Sequence, residues 1–242
     1  MTGPVALHGG GEFLPGDEAF LLAILGLAPR VDGFVRVAVV PTAAARGRPD
    51  LAAANGVAAF QRVADDAGIE VIVDPVPVVD AASAADPSHV DRLGRATLIH
   101  LPGGDPDIIP TLFPGTEAWA AIERAHARGA VLAGASAGAM ALAAWTWTRD
   151  GGMEALGVVP GIGVAPHADA DSWEQVVARY GRAVPPDLDF IGLAERTGVI
   201  VPPAAGEPWL VVGEGEARWL SAIARAAGEA PLVARSGERI VP

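Results

Sequence analysis

The stretch VLAGASAGAM, Val131 to Met140, is the one on which the fold turns. An apolar run from Ala130 to Ala133 leads into Gly134-Ala135-Ser136-Ala137-Gly138 and then into the helix-forming run Ala139 to Ala144. That order predicts a strand, a tight turn and a helix start. In such a turn a serine is flanked by small residues because strand and helix pack closely around it and no larger side chain fits. Ser136 would project from the carboxyl end of a strand, at a helix N-terminus whose free N–H groups favour negative charge. Serine is also a preferred helix N-cap, so the local pattern alone fits both a nucleophile elbow and a capped turn.

Outward from this segment, apolar and β-branched runs recur at Val5 to His8, Val35 to Val40, Glu70 to Val73, Thr97 to Leu101, Phe190 to Ala194 and Gly198 to Val201. Helical patterns fall between them, at Asp17 to Leu27, Asp50 to Asp66, Pro87 to Arg92, Glu117 to Arg128, Ala137 to Ala144 and Ser172 to Ala183. Near-continuous apolar strands alternating with helices predict a mostly parallel sheet covered on both faces, a three-layer α/β/α arrangement. From Pro208 the pattern changes to short alternating runs, Trp209 to Val212 and Ala217 to Leu220, which predict an antiparallel C-terminal edge. No linker, repeat or low-complexity tract divides the chain, so residues 1–242 are expected to form a single domain.

Composition removes several chemistries. Cysteine is absent, which excludes disulfides, thiolate nucleophiles and cysteine-bound metals. Lysine is absent as well, so all 17 basic residues are arginine and neither a Schiff-base lysine nor a serine–lysine dyad exists. With 29 acidic residues the net charge is -12, a field that repels nucleic acid and anionic membrane surfaces. No window approaches the ~18 uninterrupted apolar residues of a membrane span. The N-terminus carries no basic region ahead of an apolar stretch, so no signal peptide is expected and the cytoplasm is the default location.

In parallel α/β sheets ligands bind beyond the carboxyl ends of the strands. Four segments with chemical content are predicted to leave strands there: Gly9-Gly10-Gly11-Glu12, Pro102-Gly103-Gly104-Asp105, Ser136, and Glu195 with Arg196. A serine needs a base, and without lysine the candidates are His8, His89, His100, His126 and His167. His8 and His100 end strands, where a structural hydrogen-bonding role competes with a catalytic one. His126 falls on a helix face with Trp119, and His89 is expected to be solvated near a helix start. His167 lies in a loop and is the one histidine downstream of the serine. An acid must orient the imidazole, and Asp150, Glu154, Asp169, Asp171 and Glu195 are in range, of which Glu195 alone directly leaves a predicted strand. Gly103, Gly104 and the N–H of Ala137 are candidate oxyanion donors, while Glu12, Asp105 and Arg196 occupy rim loops that could read charged termini or side chains.

The hexapeptide Gly134 to Ala139 resembles the serine motif of the cyanophycinase and dipeptidase E family, serine peptidases on a fold like that of class I glutamine amidotransferases. The resemblance extends to GGGE near the N-terminus, LPGGDPDIIPTLF, LGVVPGIGVAPHAD around His167 and LDFIGLAERTGVIV around Glu195, in the family's order and to about Leu220. It implies Ser136 as nucleophile, His167 as base and the Gly103-Gly104 region as oxyanion or substrate-positioning loop, with no cofactor. For the acid it implies two positions: dipeptidase E-like relatives place an aspartate a short way after the serine, where Asp150 stands, and cyanophycinase-like relatives use a glutamate after the histidine, which Glu195 matches. Asp105-Pro106 and Ala168 depart from the family pattern, which bears on specificity more than on the hydrolytic machinery. The expected activity is hydrolysis of short or unusual peptides, aspartyl or isopeptide-type, with neither nucleic acid nor membrane as partner and homodimerisation left open. Two rivals remain at this point: a catalytically silent binding protein of the same fold, and a metal-dependent hydrolase using His167, Asp169 and Asp171 as ligands.

Overall fold

The computed structural model describes residues 2–242. Its strands, in chain order, are β1 (Val5–His8), β2 (Val35–Val39), β3 (Val71–Pro75), β4 (Leu98–Leu101), β5 (Val131–Ala135), β6 (Trp145–Thr146), β7 (Met153–Glu154), β8 (Ile162–Ala165), β9 (Asp189–Leu193), β10 (Thr197–Val201), β11 (Trp209–Gly213), β12 (Glu216–Leu220), β13 (Leu232–Arg235) and β14 (Arg239–Ile240). They form an eight-stranded sheet, ordered β14-β11-β10-β1-β5-β4-β2-β3, and a six-stranded sheet, ordered β13-β12-β9-β8-β6-β7.

In the large sheet β1, β5, β4, β2 and β3 run parallel, and β10, β11 and β14 add an antiparallel edge. Every residue of β1, β4 and β5 is buried, and successive residues feed opposite cores. Val5, Leu7, Ile99, Leu101 and Leu132 join one core, with Leu93, Trp119 and Ile122 from the helices Pro87–Arg95 and Glu117–Ala127. Ala6, Leu98, Val131 and Ala133 join the other, with Phe20, Ile24, Phe60 and Val63 from the helices Glu18–Leu27 and Pro49–Ala67. Burial on both faces is why these strands are apolar without alternation. The result is the expected α/β class, a mostly parallel sheet between helical layers.

The second sheet departs from the sequence-based expectation. Phe190 to Ala194, assigned by sequence to the parallel sheet, supplies β9 of the smaller sheet, parallel to β8 and antiparallel to β12. The two C-terminal runs also part company: β11 extends the edge of the large sheet, whereas β12 joins the small one. A period-2 apolar pattern specifies a strand and its buried face but not its neighbours. The helix predicted over Ser172 to Ala183 is a short helix, Trp173–Val176, followed by a π-helical turn, Val177–Gly181. Arg225 fastens the segment after that turn, donating to the carbonyls of Gly181, Val184, Pro185 and Leu188 at 2.6–2.9 Å. Among the described residues no helix is long and apolar enough to cross a membrane.

Candidate active site

Ser136 stands between β5 and the helix Ala137–Leu142 with φ 49° and ψ -113°, a conformation that L-residues adopt only under constraint. The constraint is packing. A Cβ on Gly134 would lie 2.4 Å from the Gly138 backbone, and one on Gly138 would lie 2.0 Å from the Leu101 carbonyl oxygen. Only glycines let β4, β5 and the helix approach this closely, and the serine between them is pushed out of the strand. Its own N–H donates to the His8 carbonyl at 2.9 Å, so the neighbouring strand β1 fixes the turn. No side-chain capping hydrogen bond is made by Ser136, so its hydroxyl is turned to other use.

That hydroxyl lies 3.1 Å from His167 Nε2, and His167 Nδ1 lies 3.0 Å from Glu195 Oε1. His167 follows β8 and Glu195 follows β9, whereas Ser136 follows β5, so the three meet across the two sheets. The loop after β1 joins the halves: Gly9 O accepts from the His167 N–H at 2.8 Å, and Gly10 O accepts from the Arg196 N–H at 2.7 Å. Gly10, at φ +119°, is where the imidazole rests; a Cβ there would fall 2.3 Å from His167 Cε1. His167 and Glu195 side chains are 49% and 40% exposed, so solvent reaches the imidazole.

The remaining candidates are placed as follows. Asp150 is exposed in a turn and lines a second cavity with Arg46, Asp105, Trp147, Arg149 and Arg179, and the two His167 ring nitrogens are paired with Ser136 and Glu195 instead. Gly103 packs beside Ser136, since a Cβ on it would lie 3.1 Å from Ser136 Cβ, but its N–H donates to Glu12 Oε1 at 2.8 Å. Gly104 sits hard against the turn Thr42–Ala44, 2.1 Å separating its hypothetical Cβ from the Ala43 carbonyl oxygen. Ala137 is the first residue of its helix, where an N–H has no intrahelical acceptor. Asp105 faces Arg46 at 3.8 Å, and Arg196 pairs with Glu214 at 3.5 Å, so both rim charges have partners. Glu12, Asp105, Gly103 and Gly104 line a cavity of about 440 Å³ that also holds Phe13, Arg48 and Asn55.

The structure does not gather His167, Asp169 and Asp171 as a ligand set, and among the described residues no group of three or more His, Cys, Asp or Glu is placed to hold a metal ion. Asp169 instead supports the site from behind, its Oδ1 accepting the Glu195 N–H at 3.2 Å and so anchoring the backbone of the residue that touches the imidazole. That role is not visible in sequence, and neither is the packing of Gly10 under His167.

Of the other histidines, His126 and His89 bond the carbonyls of Ala130 and Ser83. His8 is fully buried with its Nε2 3.0 Å from Oδ1 of buried Asp17, a close approach without hydrogen-bonding geometry, and the second Asp17 oxygen accepts the Phe13 N–H at 2.9 Å. His100 departs from the expected structural hydrogen bond. It is fully buried between Phe13 and Phe60 with no partner for either nitrogen, and desolvation, with His8 adding to it, holds its pKa down to about 3.

Comparison with known proteins places the family and the fold. The sequence model of peptidase family S51 matches residues 7–202. A crystal structure of a peptidase from an acI-B1 Actinobacterium superposes with a TM-score of 0.82 at 26% identity, covering 100% of this chain and 98% of the other. A protein described as a putative Peptidase E from Listeria monocytogenes EGD-e superposes with a TM-score of 0.59 at 14% identity, covering 89% of this chain and 99% of the other, which speaks to fold alone. Among curated proteins none matches. A family match over residues 7–202, which take in the elbow and both segments that meet it, makes the chain a serine-type peptidase: it belongs to peptidase family S51.

Proposed function

We propose that the protein hydrolyses short or unusual (aspartyl or isopeptide-type) peptides, with Ser136 as nucleophile, His167 as general base and Glu195 as the orienting acid. The observation that carries this reading is the continuous chain of hydrogen-bonding distances from Ser136 Oγ through His167 to Glu195, at 3.1 and 3.0 Å. With a proton on Nδ1 directed at Glu195, Nε2 is left as the acceptor for the serine hydroxyl. As Ser136 Oγ attacks the scissile carbonyl, its proton passes to Nε2 and the carboxylate of Glu195 stabilises the imidazolium. The carbonyl oxygen becomes an anion, for which the Ala137 N–H is the donor at hand, the neighbouring Gly103 N–H being engaged by Glu12 Oε1 at 2.8 Å. Nε2 then returns the proton to the departing amine, and a water molecule activated by the same nitrogen releases the acyl group from the serine.

The cavity beside Gly103 supports a small substrate. At about 440 Å³ it has room for one or two side chains rather than an extended polypeptide, and it carries charges of both signs in Glu12, Asp105 and Arg48. The test is Ser136→Ala assayed on dipeptides to pentapeptides. Loss of kcat by about 10⁴-fold to 10⁶-fold with an unchanged circular dichroism spectrum is expected. Retention of more than about a tenth of the activity would remove the serine mechanism. Absence of activity and of fluorophosphonate labelling in the unmodified protein would point instead to a silent binding protein.

A further inference from the structure

The groups that the proposed mechanism uses are hung on one short run of backbone at the end of β1. The His8 carbonyl accepts the Ser136 N–H at 2.9 Å, and the Gly9 N–H donates to the Thr197 carbonyl at 2.9 Å. The Gly9 carbonyl accepts the His167 N–H at 2.8 Å, and the Gly10 carbonyl accepts the Arg196 N–H at 2.7 Å. Nucleophile, base and the neighbour of the acid thus share this support, and Gly10 also seats the imidazole of His167. Consecutive glycines have the widest choice of backbone torsions, so Gly9 and Gly10 do not hold this shape by themselves. Another group must fix the peptide plane of Gly10.

That group is the ring of His8. Its Nδ1 accepts the Gly10 N–H at 3.3 Å, a bond from the backbone to the side chain two residues earlier that closes a turn over Gly9. A backbone N–H only donates, so Nδ1 carries no proton and the proton of the neutral ring lies on Nε2. Nε2 faces Oδ1 of Asp17 at 3.0 Å, off the line of a hydrogen bond, and neither atom has a hydrogen-bond partner. Asp17 is itself fixed at the start of the helix Glu18–Leu27, its carbonyl accepting from the Phe20 and Leu21 N–H groups and its second carboxylate oxygen from that of Phe13. His8 and Asp17 are 0% and 1% exposed, and burying two polar side chains carries a desolvation cost that an apolar pair would escape. Among the described residues the His8 ring makes one hydrogen bond, the one to Gly10.

Resting on the Ser136–His167–Glu195 reading, we propose that His8 is a positioning residue for the general base. Its Nδ1 locks the Gly10 peptide, and Gly10 in turn sets where His167 Nε2 stands relative to Ser136 Oγ. The Asp17 carboxylate favours the His8 proton on Nε2 and so keeps Nδ1 open as the acceptor. A second carboxylate–imidazole pair, buried and out of reach of substrate, thereby stands behind the first.

His8→Asn and His8→Gln separate this role from a merely structural one. The Asn amide oxygen falls near the place of Nδ1 and can accept the Gly10 N–H, but the side chain is too short to reach Asp17. The Gln amide reaches Asp17 and leaves the Gly10 N–H without its acceptor. Activity and stability should therefore part company. His8→Gln should melt higher than His8→Asn yet lose about 10-fold to 100-fold in kcat on a short peptide at unchanged KM, the scale of a misplacement of about 1 Å. His8→Asn should keep kcat within a few-fold of the parent. Activity that follows the order of the melting temperatures would overturn the proposal, as would a loss confined to KM. Nitrogen-15 spectra of the unmodified protein test the same point without a substitution: Nδ1 of His8 should be the unprotonated ring nitrogen, and a proton there would overturn the proposal. A Ser136→Ala protein that keeps its peptidase activity would instead overturn the serine mechanism beneath it.

Discussion

Gly10→Ala should disable the protein through a residue that has no side chain. The added Cβ would lie 2.3 Å from His167 Cε1, 2.8 Å from Nδ1 and 2.9 Å from Nε2. Carbon atoms pack at about 3.5–4.0 Å, so the ring must recede by more than about 1 Å. It cannot do so with its backbone, because the His167 N–H is tied to Gly9 O at 2.8 Å. Rotation of the ring remains, and the bonds to Ser136 and Glu195 at 3.1 and 3.0 Å have little to spare before they pass the hydrogen-bonding limit. Loss of a positioned general base lowers kcat by about 10²-fold to 10⁴-fold. The φ of +119° adds a separate backbone cost of about 1–3 kcal/mol for alanine. At roughly 2–4 °C per kcal/mol for a chain of this size, the melting temperature should fall by about 2–12 °C. The assay is kcat on a short peptide at a temperature where circular dichroism shows the variant folded, run beside Gly33→Ala. Gly33 has φ +87° and nothing within 4 Å of a Cβ, so that control carries the strain without the collision and should lose stability but not rate. A Gly10→Ala enzyme within about threefold of the parent, far short of that loss, would refute the assignment of Gly10 as the seat of the imidazole.

Two further outcomes are expected. Glu195→Gln should lower kcat by up to roughly 10⁴-fold while Asp150→Asn leaves it within a few-fold, and the reverse order in side-by-side kinetics would move the orienting role to Asp150. His100 is neutral in the folded state down to about pH 3, whereas the unfolded chain protonates it below its ordinary value of 6.5. The unfolded state therefore binds the extra proton between those limits, and stability is lost as pH falls from 6.5 towards 3, by up to about 4 kcal/mol from this group. His100→Leu should flatten that part of the acid unfolding curve in chemical denaturation at a series of pH values, and an unchanged slope would refute the attribution.

The parallel half of the molecule is legible in the sequence because β1, β4 and β5 are buried on both faces and so read as unbroken apolar runs. The elbow is legible for a related reason: the glycines at 134 and 138 are imposed by close packing of the strand–turn–helix unit on itself and on β4. The second sheet is not, since β6 and β7 have two residues each and β8 lies in a glycine- and proline-rich stretch that carries turn signals. Family resemblance leaves both Asp150 and Glu195 open as the acid, and only the placement of β9 beside β8 brings one of them to the imidazole. The Glu12 carboxylate on Gly103 joins residues separated by 91 positions, a contact that no local pattern encodes.

The division of the site between two sheets has a mechanical consequence. Ser136 rides on the large sheet, while His167 and Glu195 ride on the small one. Sliding of one sheet against the other would stretch the serine–histidine contact and leave the histidine–glutamate contact unaltered, so the proposed proton transfer would depend on the alignment of the two sheets rather than on the rigidity of either. The small sheet is in turn completed by β12 and β13, from the last part of the chain. Nicking or loosening the C-terminal segment would therefore detune the base without touching the nucleophile, and a chain interrupted before β12 would present a formed elbow with no aligned partner to activate it.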